Sequence, residues 1–341
     1  MRSATASGLL LVFLASFAVG FNPTFDFNSS LPKGVESTTA LDTLQKGLPS
    51  GATDPLTVVL VSQDEVSPSE LASFQKALEG ARGVANVEPG VASKSGKAAT
   101  FTVTLSHDPG SDAAIADVKG PIRTAAHDAA GDGATAYVGG TTSVFVDMNK
   151  AMNRDYSVVF PVAAVVIMLI LALLLRSLVA PLYLMLSVGL GFAATLGATV
   201  IMIQHVKGDP GLIFLLPIYI YLFVVALGTD YNILMIARLR EEARQGRDPH
   251  AAAAEALKHA GPTIAAAGVI LAGTFASLML GGNALIVSMG FALSFGIFIA
   301  AFVMAMFFTP SITALIGHAA WWPGHGDERR DPEPEPEPVS V

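Results

Sequence analysis

Asp230 and Tyr231 stand inside an apolar run that begins near Phe223 and ends in a burst of Arg and Glu. Arg238 follows Asp230 by eight positions, which is about 12 Å along a helix. If Arg238 marks the water-facing end of a membrane helix, Asp230 lies near the middle of a hydrocarbon core about 30 Å thick. An ionised carboxylate at that depth costs roughly 2.5–3.5 kcal/mol, and burial favours its neutral form. A carboxyl held there can exchange a proton near neutral pH, which a proton-coupled transporter requires.

Each residue around this carboxyl has an alternative role. Asp230 could anchor a hydrogen bond to a neighbouring helix, but no other Asp, Glu, Lys or Arg lies well inside an apolar run, which favours proton transfer. Tyr231 could donate a hydrogen bond to the carboxylate, pass a proton, or pack as an aromatic side chain. For the hydroxyl residues of the later helices, close helix packing is the favoured role, and a polar path is the alternative. The polar residues that could extend a path from Asp230 are Asn232, Thr274, Ser277 and Ser288.

The composition is that of a membrane protein with one soluble portion. The chain has 341 residues, of which 14% are charged, whereas a soluble domain carries about 25%. The mean hydropathy is +0.55. A net charge of −8 argues against nucleic acid as a partner. The chain contains no Cys, which excludes disulfides and thiol nucleophiles, and the seven His show no metal-ligand spacing. We therefore expect no metal and no cofactor.

About six apolar runs are candidate membrane helices, because a span needs roughly 17–25 residues. The first run, which we assign to residues 1–25, is short enough to be a signal-peptide core, but an uncleaved helix is favoured. The candidate spans are residues 4–21, 156–175, 178–203, 212–237, 262–281 and 284–316.

Residues 26–150 have the composition of a soluble α+β domain. A strand at 56–62, a helix at 67–80 with Ser67 as its N-cap, a hairpin across "KSGK", a helix at 111–130 and a strand at 134–140 follow one another. The order β-α-β-β-α-β is the ferredoxin-like pattern. "GVASKSGKA" resembles a nucleotide-binding loop only superficially, because five residues separate Gly90 from Gly96 and Ala98 replaces the Ser or Thr. We therefore expect no nucleotide, and an ion gradient as the energy source.

The basic residues predict the orientation of the chain. They cluster in loops that fall on one side if the count of spans is right, while the loop near Lys207 on the other side carries little positive charge. The positive-inside rule then places both termini in the cytoplasm and residues 26–150 outside. The clustered residues are Arg176, Arg238, Arg240, Arg244, Arg247, Lys258, Arg329 and Arg330.

Two long segments resemble the MMPL family of actinobacterial membrane transporters, within the RND superfamily. They are "ALGTDYNILMIARLREEARQGR" at 226–247 and "AAAAEALKHAGPTIAAAGVILAGTFASLML" at 251–280. "SSLPKGVESTTALDTL" at 29–44 resembles the start of the family's periplasmic porter domain. "DYN" and "WWPG" suggest the carboxy-terminal half of a family member. The likeness covers about residues 10–325.

The resemblance implies an exporter in the bacterial plasma membrane, driven by protons and acting on lipids or other hydrophobic molecules. It implies that Asp230 and Tyr231 form half of a proton relay. Family members normally hold two halves in one chain, so we expect a second half as partner, either another copy or a separate chain. The alternative is a non-transporting subunit or a truncated fragment. "LGTD" also faintly resembles intramembrane aspartyl proteases, which need a second aspartate.

These expectations divide the chain into four parts. Residues 1–25 form the first transmembrane helix, and 26–150 form the extracytoplasmic porter domain. Residues 151–320 form a five-helix membrane domain with a cytoplasmic loop at 238–260. Residues 241–261, which begin in that loop, are predicted to form one amphipathic helix. Its Arg and Lys could contact membrane lipids, or the segment could be a solvated one that only sets the orientation. Residues 321–341, with "PEPEPEP", are predicted to be a disordered cytoplasmic tail.

Overall fold

The computed structural model describes residues 2–25, 31–32, 34–209 and 211–324. The chain divides into two compact units. A helical unit contains residues 1–22 and 160–341, and an α+β unit contains residues 23–159. The predicted tail at 321–341 lies outside the described residues from residue 325 onward.

Helices make up most of the described chain. The helices are α1 (Arg2–Ser16), α2 (Glu36–Gly47), α3 (Pro68–Glu79), α4 (Asp112–Asp117), α5 (Arg123–Ala130), α6 (Thr141–Leu175), α7 (Val179–Val200), α8 (Leu216–Ile220), α9 (Ala226–Arg244), α10 (Pro249–Ala276), α11 (Ala284–Phe298) and α12 (Thr309–Ile316). The strands are β1 (Pro23–Thr24), β2 (Leu56–Ser62), β3 (Val84–Val87), β4 (Val91–Ala92), β5 (Ala98–Leu105), β6 (Ala134–Gly139) and β7 (Leu212–Ile213).

Five helical stretches in the described part are long and apolar enough to cross a membrane. They confirm the five later predicted spans, with different bounds. The largest difference is in the first of them, which begins at Thr141 within one continuous α-helix. The predicted first span is a shorter apolar helix, Ala4–Gly20. The long stretches are Thr141–Leu175, Val179–Val206, Leu216–Arg244, Pro249–Leu280 and Ala284–Trp321.

The α+β unit is built around an antiparallel sheet with strand order β3-β5-β2-β6, and β4 pairs with β5 beside β3. Leu56, Val58 and Leu60 are buried at alternate positions of β2, so one face of the sheet is covered. Phe74 of α3 packs on Phe101 of β5 with ring centroids 5.0 Å apart. The predicted order of strands and helices from residue 56 to 139 is therefore confirmed, with β4 as a short addition.

Local sequence signals explain several of these elements. Ser67 and Glu70 form a capping box at the start of α3, with Pro68 at the first helical position. The "KSGK" turn joins β4 to β5, because the Gly96 N–H donates to the Ser93 carbonyl and Val91 pairs with Thr100. This confirms the hairpin that was preferred over a nucleotide-binding loop. Pro121 interrupts the helix at 111–130, where Val118–Ile122 is wound as a π-helix.

The helical unit is packed through small residues. Leu11 of α1 is fully buried beside Ala194 of α7 and Met304. A Cβ on Gly296 would collide with the side chains of Val224 and Thr195, so only glycine allows the three helices to approach this closely.

The prediction of a single amphipathic helix at 241–261 is wrong. Helix α9 ends at Arg244 and α10 begins at Pro249. Gly246 has a φ of +74°, which L side chains rarely adopt. The Asp248 side chain then accepts hydrogen bonds from the N–H groups of His250 and Ala251 and starts a new helix.

Candidate functional site in the helical unit

Asp230 lies in α9, near the middle of the helical stretch Leu216–Arg244. This stretch contains a π-helical segment, Tyr221–Val225, immediately before α9 begins. Single π turns occur often at functional sites, because the extra residue changes which side chains face a given direction. The segment therefore sets the face on which Asp230 emerges.

The Asp230 side chain lies on a face of α9 that the other described residues do not cover. Leu222, Ala226, Leu234 and Ala237 are also exposed, at helical spacings of three and four positions. All four neighbours on this stripe are apolar. Asp230 is thus a lone carboxyl in an exposed apolar stripe, which we call the Asp230 face (Leu222, Ala226, Asp230, Leu234 and Ala237).

Tyr231 points into the core of the helical unit. It is 6% exposed and belongs to a buried cluster that includes Leu171 of α6 and Ile264 of α10. Within the described residues, no hydrogen bond joins Tyr231 to Asp230, so the structure places these two predicted relay residues on different faces of α9.

Asn232 lies in a buried chain of hydrogen bonds between three helices. The Thr309 hydroxyl donates to Asn232 Oδ1 at 2.8 Å, and the Thr313 hydroxyl donates to the Thr309 carbonyl. The Tyr183 and Thr313 hydroxyls are 2.8 Å apart. The Asn232 Nδ2 atom is buried and has no partner among the described residues. We call these four residues the Asn232 network.

The other predicted path residues bond within their own helices. The Thr274 hydroxyl donates to the Ile270 carbonyl, and the Ser277 hydroxyl donates to the Thr274 carbonyl. Both residues are exposed. Ser288 is buried and donates to the Ala284 carbonyl. Within the described ranges, none of the three forms a hydrogen bond with Asp230.

The corner between α9 and α10 contains a buried carboxylate with basic partners. Glu242 is 1% exposed and forms ion pairs with Arg238 at 2.8 Å and Arg247 at 3.1 Å. His259 Nδ1 lies 3.9 Å from Glu242 Oε1. This group, which we call the Glu242 cluster, fixes the end of α9 against the start of α10.

Sequence reasoning missed the partners of Asn232 and the burial of Glu242. Thr309 and Thr313 are four positions apart, a spacing that places two hydroxyls on one helix face, and this signal was available. The burial of Glu242 had no comparable signal, because most of the residues from 240 to 244 are charged.

The helical stretches and the carboxyl within one of them define a multi-pass membrane protein with an α+β unit between its first two apolar helices. The chain belongs to the MMPL family, whose model matches residues 29–335.

Several curated relatives resemble the chain over most of its length. A membrane protein of Streptomyces coelicolor is 35% identical over 328 residues, which is 95% of this chain and 38% of the relative. The apo-petrobactin exporter of Bacillus anthracis is 29% identical over 91% of this chain and 42% of its own length. A siderophore exporter of Mycobacterium tuberculosis is 31% identical over 73% of this chain and 26% of its own length. The chain thus spans less than half the length of these relatives.

Proposed function

We propose that this chain is one half of a membrane exporter that is driven by the proton gradient and carries lipids or other hydrophobic molecules. The observation that carries the proposal is the lone carboxyl of Asp230 on an uncovered apolar helix face. An ionised carboxylate facing lipid is costly, and residues of this kind inside a bilayer mark ion or substrate pathways. The names of two relatives as exporters support an export function.

A second transporter half, we infer, covers the Asp230 face. Covering it removes the carboxyl from lipid and provides a polar neighbour with which a proton can be exchanged. The relatives are more than twice as long as the matched region, which leaves room for such a half. The second half belongs to a longer chain, a second copy or a separate chain.

The α+β unit serves, in this proposal, as an extracytoplasmic porter domain of ferredoxin-like type. The antiparallel strand order β3-β5-β2-β6, with helices between β2 and β3 and between β5 and β6, supports this assignment. The basic residues near the ends of the helical stretches support cytoplasmic termini. Residues Ala4–Gly20 act as the first transmembrane helix, which agrees with the packing of Leu11 in the helical unit.

Protonation of Asp230 supplies the conformational bias. A change of state can drive transport only if the two protonation forms stabilise different arrangements of the helices. Tyr231 then acts indirectly, through α9. Because its ring is packed in the core, any rotation of α9 moves the ring against the neighbouring helices. Asn232 and the hydroxyls of Thr274, Ser277 and Ser288 provide polar groups along the moving helices.

We expect Asp230→Asn to abolish export, because the amide cannot take up and release the proton. The measurement is a comparison of secreted lipids and siderophores from a strain with the normal chain, a deletion strain and the variant strain. Addition of a protonophore to the normal strain should reproduce the loss.

Glu241→Gln is the matched control. Glu241 is a carboxylate at the charged end of the same helix, and its side chain is 58% exposed. It should export normally. Normal export by Asp230→Asn at equal membrane abundance would contradict proton coupling at this residue. Equal secretion by the deletion and normal strains would favour a non-transporting subunit.

A further inference from the structure

Three arginines lie at one end of the helical unit, and none of them has an acidic partner among the described residues. Arg240 and Arg244 are four positions apart in α9 and therefore share a helix face. Arg176 lies in the turn between α6 and α7, and the next residue, Ser177, donates a hydrogen bond to the Ala320 carbonyl, beside the Trp321 ring that the Arg240 guanidinium covers. None of the three forms an ion pair within the part of the chain that the structure describes. We call them the arginine triad.

The neighbouring arginines of the same segment are neutralised. Arg238 pairs with Glu241 and Glu242, and Arg247 pairs with Glu242 and lies 4.0 Å from Glu255. The two acidic residues at this end of α9, Glu241 and Glu242, are thus both paired with arginines outside the triad. In contrast to Arg238 and Arg247, the three arginines of the triad have no described acidic residue that neutralises their charge.

Arg240 is more than nine-tenths buried, and its Nε atom is buried with no hydrogen-bond partner among the described residues. Its guanidinium lies over the ring of Trp321, 5.8 Å from the ring centroid. A stacked guanidinium has its hydrogen-bonding edge free for a planar or tetrahedral anion. A buried donor without a partner is unfavourable, so an acceptor that binds here would stabilise the Arg240 side chain.

The turn that carries Arg176 is fixed beside Trp321. The Ser177 hydroxyl donates to the carbonyls of Ala320 and Trp322, and the Leu178 N–H donates to the Trp322 carbonyl. Trp322 and Leu178 are more than half exposed next to this turn. An exposed tryptophan and leucine beside arginines at the end of membrane helices form the combination found at the boundary between lipid headgroups and acyl chains.

We propose that Arg176, Arg240 and Arg244 bind the phosphate group of an anionic membrane lipid, whose acyl chains lie against Leu178 and Trp322. The guanidinium groups supply the charge and the paired N–H donors that a phosphate accepts. The site is distinct from Asp230, which lies ten positions earlier in the helix.

The two tryptophans of the chain, Trp321 and Trp322, are both at this site, so their fluorescence reports on it directly. The full chain is reconstituted in phosphatidylcholine bilayers, and a brominated lipid that quenches tryptophan is titrated in. Brominated phosphatidylglycerol should quench at a lower mole fraction than brominated phosphatidylcholine. Its binding constant should be at least about fivefold that of phosphatidylcholine.

Arg244→Gln and Arg176→Gln should each lower this preference by more than about twofold, and both side chains are exposed, so folding is preserved. Arg240→Gln should lower it further. Lys258→Gln removes the same charge from an exposed residue that is paired with Glu255, and should change the preference by less than about twofold.

Equal quenching by the two lipids would overturn the proposal, as would equal effects of Arg244→Gln and Lys258→Gln. Loss of the preference in sodium phosphate, but not in sodium chloride of equal ionic strength, would assign the site to free phosphate instead. A preference seen only after removal of residues 325–341 would show that the acidic tail, and not lipid, occupies the triad.

Discussion

Asp230 and Tyr231 are neighbours in the sequence, yet they lie on different faces of α9. The apolar run around them shows that a carboxyl is inside a membrane helix, and this much is readable from residue types alone. Which face is covered depends on the packing of α6, α7, α10 and the last helix, which the residues of α9 do not encode. The exposure of Asp230 and the burial of Tyr231 are therefore results that only the folded chain provides.

The Asn232 network makes a testable contribution to the packing of α9 against α12. Thr309→Val keeps the shape of the side chain but leaves Asn232 Oδ1 without its donor, so we expect a loss of roughly 0.6–2 kcal/mol in the free energy of unfolding. The measurement is unfolding of the purified protein by SDS titration in mixed micelles.

Thr274→Val is the control for this comparison, because the exposed Thr274 hydroxyl donates to the Ile270 carbonyl of its own helix and has no other partner in the described part of the chain. Its unfolding midpoint should stay within error of the normal chain. Equal stability of Thr309→Val and the normal chain would show that the buried hydrogen bond contributes nothing net.

At the scale of single elements, the start of α3 has a sequence signal that the structure confirms. The Ser67 hydroxyl and the Ser67 N–H both donate hydrogen bonds to the Glu70 carboxylate. These bonds hold the pKa of Glu70 below its usual value, and the bond from the hydroxyl has the larger effect. Ser67 also accepts a hydrogen bond from the Glu70 N–H. We expect Ser67→Ala to destabilise α3 by about 1 kcal/mol.

This cap should also depend on pH. A carboxylate whose folded pKa is depressed adds stability that is present above its unfolded pKa of about 4.3, and that stability is lost as pH falls through the lower, folded pKa. Hydrogen exchange of α3 peptides, corrected for the intrinsic effect of pH, should show weaker protection in acid for the normal chain. Ser67→Ala should show a smaller dependence.

Ser73→Ala, in the exposed middle of the same helix, serves as the comparison and should leave protection unchanged or slightly higher. Protection of α3 that is equal in Ser67→Ala and Ser73→Ala would rule out a stabilising role for the cap.

The elements that could be predicted are those whose signals are local. The strands from residue 56 to 139 follow from alternation, caps and turns, and the five long spans follow from hydropathy. The helix at 241–261 was predicted wrongly because its Ala-rich composition outweighed a two-part stop signal, Gly246 and Asp248-Pro249. The Asn232 network could not be predicted, since it joins helices that are far apart in sequence. The Glu242 cluster joins two successive helices, but no local signal marks Glu242 as buried.

At the scale of the whole molecule, the Asp230 face is the feature that needs a partner. The chain lacks cysteine, so single cysteines can be introduced without background reaction. Ala226→Cys and Leu234→Cys, one helical turn on either side of Asp230, should carry a benzophenone label that crosslinks to a second protein half. The mass of the product then distinguishes a second copy of this chain from a different one.

Leu186→Cys is the matched position, because Leu186 is 75% exposed on α7, away from α9 in sequence. Its label should react mainly with lipid. Crosslinking to lipid alone from all three positions in native membranes would contradict a protein partner on the Asp230 face.

The bonds of Ser177 also bear on the order in which the chain is assembled. Its hydroxyl contacts carbonyls of Ala320 and Trp322, which lie 143 and 145 positions later in the sequence. A ribosome makes these residues only after every long helix has been synthesised. The Ser177 hydroxyl therefore lacks these two acceptors during most of translation. The turn after α6 can form its full set of hydrogen bonds only after residues 320–322 have been made.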